Sequence, residues 1–312
     1  MTRARRSFTL LLTITILAGA AGWARSWFVP TETTVTKLAP GVFFRKTQTK
    51  PEFIGCNQGW VIFQDFVLVI DANFPNQAEE VIKQIRKQTD KPIRYVFDTH
   101  YHGDHADGNS MYTRIGATAV ASENSRHLFE TKGRAGFEKS RQEKPDEYGS
   151  LKYQKPDIYF PRKLIINDGT QRVELLHFGH AHTAGDAVAW LPKHGILFSG
   201  DACVNGAFNY TGDSDTASWI GVLTAMSKLP IKTMAPGHGA ASDKTLIATQ
   251  KRYFVELREA VQRGIDQKQS LQDIKQTIKI PFYKKWTGVD VQERTENIEH
   301  VYAELTGKTT GN

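Results

Sequence analysis

Thr-His-Tyr-His-Gly-Asp-His, residues 99–105, is the stretch that decides which fold the chain is expected to adopt. His100 and His102 alternate, so an extended backbone points both imidazoles to one side. Asp104 and His105 follow in a turn and can face a neighbouring point about 3.5–4 Å away, the separation of two-metal sites. Imidazole and carboxylate groups both suit zinc. The stretch therefore predicts a metal centre with room for two ions.

The sequence before this stretch predicts that it lies at the edge of a sheet. Residues 60–63 and 66–70 are apolar, β-rich runs joined by Gln-Asp, and they predict a hairpin. Residues 76–89 carry apolar side chains at helical spacing, and residues 93–98 are strand-like again. A strand, a helix and a strand predict a parallel crossover. Ligand sites of open α/β sheets lie at the carboxyl edge where such a crossover ends.

The second half of the chain repeats this order of elements. Strand-like runs are expected over residues 164–166, 172–178, 187–191, 196–199 and 231–234, with helices over 219–228, 244–265, 271–278 and 291–305. Three loops that follow apolar runs carry further candidate ligands: residues 179–186, 199–201 and 236–239. The pattern predicts two mixed sheets packed face to face, with helices outside.

The 99–105 stretch resembles the His-x-His-x-Asp-His metal-binding signature of the metallo-β-lactamase superfamily. The later His-Thr-x-Gly, Gly-Asp and Pro-Gly-His-Gly pieces match the family's later ligand positions in order, over about residues 34–245. The resemblance implies an α/β fold, a four-layer αββα sandwich of two mixed β-sheets. Residues 34–245 would form the catalytic domain and residues 246–312 a C-terminal helical extension.

The resemblance also implies a set of ligands for two zinc ions. His100, His102 and His182 would bind the first metal, Asp104, His105 and His238 the second, and Asp201 would bridge the two. Because all these donors are nitrogen or oxygen, iron or manganese would also suit the site. His182, rather than His180, matches the family's pattern, so His180 is expected to lie behind the ligands or on the surface.

Other polar residues are expected to support the ligands or to stand apart from them. Asp71 ends an apolar strand, where it either hydrogen-bonds a ligand imidazole and fixes its tautomer or caps the strand. Thr183 is a second candidate for a hydrogen bond that orients a ligand. The remaining histidines are expected to be structural or exposed, and they are His127, His177, His194 and His300. Cys56 and Cys203 are too few for a disulfide framework, and Cys203 is not expected to be a ligand.

The resemblance implies a hydrolase that uses a metal-bound hydroxide to cleave an amide, lactone, ester or related bond. Asp104 is expected to orient the nucleophile and accept its proton. The sequence has no G-x-S-x-G elbow, so no serine nucleophile is expected. β-Lactams are candidate substrates, although Asp201 stands where the broad-activity zinc β-lactamases carry Cys.

Three alternatives remain open at this point. A thioester hydrolase of the glyoxalase II type would use the same residues. An iron-dependent oxidoreductase would use the same fold. In a non-catalytic protein, the metals would only stabilise the fold or bind a partner. Structural zinc sites are usually closed and rich in cysteine, and the candidate ligands here include no cysteine.

The first 20 residues predict a signal peptide, with Arg3, Arg5 and Arg6 before a short apolar run and an Ala-Gly-Ala cleavage site. An uncleaved anchor is the alternative, but the run is shorter than the roughly 20 residues of a membrane span. A periplasmic or secreted location without a membrane span is therefore expected. The net charge of +7 includes the three arginines of the expected signal peptide, so the rest of the chain carries about 7 − 3 = +4, spread along it, which argues against nucleic-acid binding. The expected partner is a small-molecule substrate.

The walls of the expected pocket come from two polar segments. Residues 125–160, rich in Gly and Pro, predict an insertion with a little helix that lies over the site, and residues 205–210 predict a second wall. Some aromatic residues are candidates for lining the pocket, although most are explained more simply as core; they are Tyr101, Phe208, Tyr210 and Trp219.

Overall fold

The structure of the chain is a computed structural model that describes residues 33–47, 55–206, 210–278 and 291–307. The expected signal peptide and Phe208 lie outside the described residues. Within these ranges, no helix is both long enough and apolar enough to cross a bilayer.

In the described residues, the first sheet contains seven strands in sequence order. They are β1 (Thr34–Ala39), β2 (Val42–Lys46), β3 (Gln58–Ile62), β4 (Val67–Ile70), β5 (Ile93–Phe97), β6 (Thr118–Ser122) and β7 (Ile158–Phe160). Strands β1 to β4 pair antiparallel, and β4 to β7 pair parallel. The hairpin of β3 and β4 and the parallel crossover to β5 agree with the sequence prediction. Strands β6 and β7 were not predicted, because β6 is built of small residues and β7 is short and lies between prolines.

The second sheet, within the described residues, has five strands in the order β12-β11-β10-β9-β8. They are β8 (Lys163–Asn167), β9 (Arg172–Leu176), β10 (Val188–Leu191), β11 (Ile196–Gly200) and β12 (Thr233–Pro236). The pair of β11 and β12 is parallel and the others are antiparallel. Strand β12 begins two residues later than predicted. Its register opposes Pro236 to Gly200, so His238 lies just beyond the edge of the sheet.

The helices described lie between the strands and after them. They are α1 (Pro75–Arg86), α2 (Gly103–Ala106), α3 (Asn109–Thr113), α4 (Arg126–Leu128), α5 (Arg134–Glu143), α6 (Pro145–Tyr148), α7 (Thr216–Met226), α8 (Thr245–Asp266), α9 (Leu271–Thr277) and α10 (Val291–Thr306). A π-helical turn, Phe129–Gly133, joins α4 to α5. The 125–160 insertion is thus more helical than predicted, because Phe129 and Phe137 are buried in aromatic clusters that its polar composition does not reveal.

The described residues form four layers, as the sequence predicted. Leu68 and Phe97 of the first sheet and Leu175 and Phe198 of the second share one buried cluster, so the sheets pack face to face. Helices α1 and α3 cover the outer face of the first sheet. Helices α7, α8 and α10 cover the outer face of the second sheet around Trp219. The fold is the expected αββα sandwich, and the C-terminal helices share its core.

Candidate metal centre

Four loops that carry candidate ligands leave the two sheets at the same edge. One follows β5, another joins β9 to β10, and the others follow β11 and β12. Backbone hydrogen bonds tie these loops together. Ala187 N donates to Thr99 O at 2.9 Å, and Gly237 N donates to Gly200 O at 2.9 Å. The strand ends therefore bring segments that are distant in sequence to one place.

Two glycines make this convergence possible. Gly200 has a φ of +49°, and a Cβ placed there would lie 2.3 Å from Thr99 Oγ1. A Cβ on Gly237 would lie 2.1 Å from Asp201 Oδ1. Both distances are far shorter than a van der Waals contact, so any larger residue would displace Thr99 or Asp201. The loops can approach this closely only because these positions lack side chains.

The first cluster consists of His100, His102 and His182, whose nearest ring nitrogens all lie within 4.8 Å of one another. His182 Nε2 lies 2.9 Å from His102 Nδ1. The His100 ring lies 4.7 Å from that of His102 and 4.9 Å from that of His182, measured between centroids. These are the three residues expected to bind the first metal.

The second cluster consists of Asp104, His105 and His238, whose ligand atoms also lie within 4.8 Å of one another. Asp104 Oδ2 lies 3.5 Å from His105 Nε2 and 3.3 Å from His238 Nε2. The imidazoles of His105 and His238 are buried. These are the three residues expected to bind the second metal.

Asp201 lies against both clusters. Its Oδ2 is 3.7 Å from His182 Nε2 and 3.3 Å from His238 Nε2, and its Oδ1 is 3.4 Å from His105 Nε2. This is the position that a bridging carboxylate requires. The structure therefore brings together all seven residues that the sequence marked as metal ligands.

Some buried atoms at the centre of this group fit a cation. His100 Nε2, His105 Nε2 and Asp201 Oδ1 are buried and have no hydrogen-bond partner among the described residues. The same residues form a group of possible ligands within 4.8 Å. A buried polar atom without a partner costs about 1–3 kcal/mol. Nitrogen and oxygen donors converging in this way are the donor set that a divalent metal would satisfy.

The two clusters differ in electrostatics. Burial, together with His102, lowers the pKa of His182 to about 4, and burial also lowers the pKa of His100. Burial alone would lower the pKa of His238 as well, but the carboxylates of Asp201 and Asp104 outweigh it and raise the pKa to about 10. His182 is therefore a neutral ligand at pH 7, whereas His238 must lose a proton to bind a metal.

Asp213, a residue that the sequence analysis missed, holds His102 from behind. His102 Nε2 lies 3.1 Å from Asp213 Oδ2, so the other ring nitrogen, Nδ1, faces the cluster. Tyr101 Oη donates to the same oxygen at 2.5 Å, and Lys132 Nζ donates to Oδ1. Burial raises the pKa of Asp213, but these three donors outweigh it and hold the pKa well below its usual range. Asp213 is thus an ionised carboxylate behind His102, one of the candidate ligands.

Little in the sequence points to this role, because Asp213 lies in the polar turn Thr-Gly-Asp-Ser-Asp before α7. The second acid of that turn, Asp215, is the helix N-cap and accepts from Ser218 N at 2.8 Å. A helix start needs one capping acid. Asp213 is not needed for capping, and this surplus acid was the one sequence feature that could have pointed to its role.

Asp71 holds His105 from behind, in the position that the sequence analysis suggested for it. Asp71 Oδ2 lies 3.1 Å from His105 Nδ1, and Asp71 Oδ1 accepts from the backbone and hydroxyl of Thr99 at 2.8 and 2.9 Å. Asp71 has a φ of 63°, in the left-handed region. Such a backbone costs of order 1–3 kcal/mol, and it is often retained at functional sites.

Thr183 and His180 contact the polar residues around the ligands. The Thr183 hydroxyl donates to Asp186 Oδ1 at 2.7 Å, so Thr183 fixes the loop that bears His182. His180 Nε2 lies 2.8 Å from Asp213 O, and His182 Nδ1 lies 3.0 Å from Tyr210 O. The loop that begins at Tyr210 thus meets both histidines of the 179–186 segment.

The other histidines and the two cysteines lie outside the ligand group. His177 contacts Asp186 O, His194 contacts Gln171, and His300 contacts Ser214 and Glu304. Both cysteines are buried and unbridged. Cys203 is part of the hydrophobic core behind the second sheet, whereas Cys56 lies close to Asp71 and His105.

A cavity of about 370 Å³ opens beside the two clusters. His102 and Asp104 form part of its wall, and the helical insertion contributes Lys132 and Phe137. The insertion therefore borders the site, as the sequence analysis expected. Trp219 is buried in the core, although its ring lies 5.7 Å from that of His182.

The chain is similar to known proteins over the region that carries the ligands. A family model described as the metallo-beta-lactamase superfamily matches residues 52–238. The metallo-beta-lactamase type 2 of Bacillus sp. (strain 170) is 24% identical over 187 residues, which are 58% of this chain and 65% of the relative. The beta-lactamase-like protein 2 homolog of Caenorhabditis elegans is 25% identical over 181 residues, 57% of this chain and 54% of the relative. The chain thus covers less than two thirds of the length of either relative.

A solved structure supports the fold independently. The metallo-beta-lactamase from Pontibacter korlensis superposes with a TM-score of 0.60 and 23% sequence identity, covering 72% of this chain and 99% of that structure.

Proposed function

The chain belongs to the metallo-β-lactamase superfamily, and we propose that it is a hydrolase whose seven convergent histidine and aspartate residues hold two zinc ions. The observation that carries this proposal is the convergence of three buried atoms, His100 Nε2, His105 Nε2 and Asp201 Oδ1, none of which forms a hydrogen bond within the described residues. Hydrogen bonding within the described residues leaves them unsatisfied, and a bound cation would satisfy them.

The donor set divides naturally between two ions. His100, His102 and His182 would hold the first, Asp104, His105 and His238 the second, and Asp201 touches both clusters. When bound, a pair of dications lowers the pKa of a shared water towards neutrality and polarises the bond to be cleaved.

We propose that Asp104 accepts the proton of the attacking water. Its contacts with His105 and His238 both use Oδ2, which leaves Oδ1 to accept a hydrogen bond. Asp104 also lines the cavity, so it borders both the ligand group and the space for a substrate. Oδ1 would orient the water and then receive its proton, as a general base does.

The residues behind the ligands fix which ring nitrogen faces the metals. The ionised Asp213 accepts from His102 Nε2, and the carboxylate of Asp71 lies 3.1 Å from His105 Nδ1 as an ion-pair partner. These contacts hold each imidazole in one tautomer and one orientation before a metal arrives. The chain therefore supplies a prearranged site.

The substrate that we propose is a small molecule with an amide, lactone, ester or related bond. The cavity wall combines the rings of Phe74, Tyr101 and Phe137 with the ammonium of Lys132. This mixture suits a compound with an apolar part and a polar or anionic part. β-Lactams belong to this class, and the name of the Bacillus relative makes them the first compounds to test.

A thioester hydrolase is the second candidate, and Asp201 favours it. The carboxylate at this position completes a ligand set of nitrogen and oxygen atoms, and neither cysteine belongs to the seven ligands. An iron-dependent oxidoreductase would fill the same donor set with another metal, so metal analysis must accompany the substrate assays.

We propose further that residues 1–20 direct export to the periplasm or the medium and are then removed. Residues 34–245 would be the catalytic domain, with residues 246–312 as its helical extension. N-terminal sequencing of the mature protein tests the first point, since a cleaved product would begin near residue 21.

The experiment that tests the proposed function compares metal-free and reloaded protein. Treatment with a chelator should abolish hydrolysis, and zinc should restore it. A panel of β-lactam, lactone, thioester and phosphoester substrates then identifies the bond. Full hydrolytic activity after complete metal removal would refute the proposal.

A further inference from the structure

The loop between Tyr210 and Thr216 orients two of the three histidines of the first cluster. The backbone oxygen of Tyr210 lies 3.0 Å from His182 Nδ1, and the carboxylate of Asp213 lies 3.1 Å from His102 Nε2. The position of this loop therefore decides how these imidazoles face the cluster. We call residues 210–216 the ligand-support loop.

The ligand-support loop lies along one face of α10 and contacts it through buried and half-buried polar groups. Thr211 Oγ1 donates to Asn297 Oδ1 at 2.8 Å. His300 Nε2 lies 3.2 Å from Ser214 O, and Thr216 N donates to Glu304 Oε1 at 2.8 Å. The helix residues are spaced at i, i+3 and i+7, so they form one stripe. Three successive points of the loop are thus fixed by one helix.

The stripe itself is held by the body of the fold. Ile298 and Val301 are buried in the core cluster of α7 and α8. Asn297 Nδ2 donates to Tyr253 Oη at 2.8 Å, and Arg258 Nη1 donates to Glu304 Oε2 at 2.5 Å. Both of these partners belong to α8. The stripe therefore links the loop to α8 and to the core.

We propose that Asn297, His300 and Glu304 are positioning residues for the first metal cluster, acting through the ligand-support loop on His102 and His182. This inference rests on the proposed function, because it requires that the cluster binds a metal. The family match ends at residue 238, so α10 lies outside the region shared with the superfamily. The C-terminal extension would then help to position the candidate ligands of the first cluster.

The effect should fall on one cluster. The loop contacts His102 and His182 of the first cluster, whereas Asp71 lies behind His105 of the second. The hydroxyl of Thr99 lies between the clusters, 3.3 Å from His100 Nδ1 and 3.4 Å from His105 Nδ1, and does not belong to the loop. Loss of a direct partner of a ligand typically costs about 10–100-fold in metal affinity. The α10 residues act one contact further away, so we expect a loss of roughly threefold to tenfold.

The test measures zinc affinity at each cluster in variants of α10. Competition with a chromophoric chelator gives two dissociation constants, which are assigned by the loss of one in His182→Ala and of the other in His238→Ala. His300→Ala and Asn297→Ala should weaken the first-cluster constant and leave the second unchanged. Thr211→Val, which removes the Asn297 contact from the loop side, should reproduce the effect.

Two comparison variants separate positioning from general stability. His300→Gln retains an N–H donor and should restore the first-cluster affinity. Glu299→Ala, on the same helix, removes an ion pair with Lys275 that does not touch the loop, and it should change neither constant. Thermal unfolding of each metal-free variant reports the cost to the fold.

The possible results are distinct. Equal weakening of both clusters by His300→Ala, or unchanged zinc binding alongside a lower unfolding temperature, would overturn the inference while leaving the proposed function intact. A wild-type chain that binds no zinc would overturn the proposed function, and this inference with it.

Discussion

The two ligand clusters are built in different ways, although they share Asp201. The second cluster is supported at the ends of neighbouring strands, where Asp71 lies 3.1 Å from His105 Nδ1 and accepts from Thr99, whose hydroxyl also contacts His100 of the first cluster. The first cluster depends on a distant loop, since Asp213 contacts His102 across 111 residues of sequence. This difference shows that a short sequence motif can supply candidate ligands, whereas residues far away in the sequence determine how the ligand side chains are oriented.

The largest expected effect comes from removing a ligand of either cluster. His182→Ala should remove the first ion and His238→Ala the second, and each should lower kcat/KM by more than about 100-fold, because a direct ligand should cost more than its outer partner. Elemental analysis and steady-state kinetics measure the two outcomes. His194→Ala is the control, because His194 contacts Gln171 in a turn outside the site. A small effect at either ligand would mean that the clusters do not depend on the residues assigned to them.

Replacing the carboxylates behind the ligands sharpens the comparison. Asp213→Asn should weaken zinc binding at the first cluster by about 10–100-fold, and Asp71→Asn should do the same at the second. Asp71→Ala should in addition lower the free energy of unfolding by about 1–3 kcal/mol, because it removes the acceptor of two buried hydrogen bonds from Thr99, whereas Asp71→Asn keeps an Oδ1 that can accept them. Competition titration and denaturant unfolding test both points. Matching losses at both clusters from either variant would contradict the separation.

The same difference explains what the sequence could predict. The seven candidate ligands lie in short segments that follow apolar strands, and Asp71 ends such a strand, so local pattern indicated the loops, and the resemblance to the superfamily selected the candidate ligands within them. Asp213 lies in a polar turn whose composition is already explained by the start of α7. Its role depends on a fold that brings residues 102 and 213 together, which no local pattern records.

The elements of the fold that the sequence did not predict were missed for a similar reason. Strands such as β4 and β11 were predictable because they consist mainly of apolar residues, which indicates that they are buried. Helix α5 has few apolar residues and gains its stability by burying Phe137 against Tyr148 and Tyr153. Tertiary packing of this kind overrides weak local preference.

A further effect is expected from pH, and it should again distinguish the clusters. In the metal-free protein the pKa of His238 is raised to about 10, so zinc must displace a proton there at pH 7. The pKa of His182 is lowered to about 4, so this ligand is already neutral. Zinc affinity at the second cluster should therefore fall as pH falls from 8 to 6, by about tenfold per pH unit for each proton displaced.

First-cluster affinity should depend less on pH over the same range. Competition titrations at several pH values provide the measurement, with a pH-indicator dye recording protons released on zinc addition. An equal pH dependence at both clusters would show that their electrostatics are alike and would contradict the difference between His182 and His238.

The most direct test of the two-metal site is X-ray diffraction from crystals of the zinc-loaded protein, recorded on both sides of the zinc absorption edge. We expect two anomalous peaks about 3.5–4 Å apart. One should lie about 2.0–2.2 Å from ligand atoms of His100, His102 and His182, and the other at the same distance from Asp104, His105 and His238. A zinc-loaded crystal with no peak among these residues, or with its zinc bound elsewhere, would contradict the two-metal assignment.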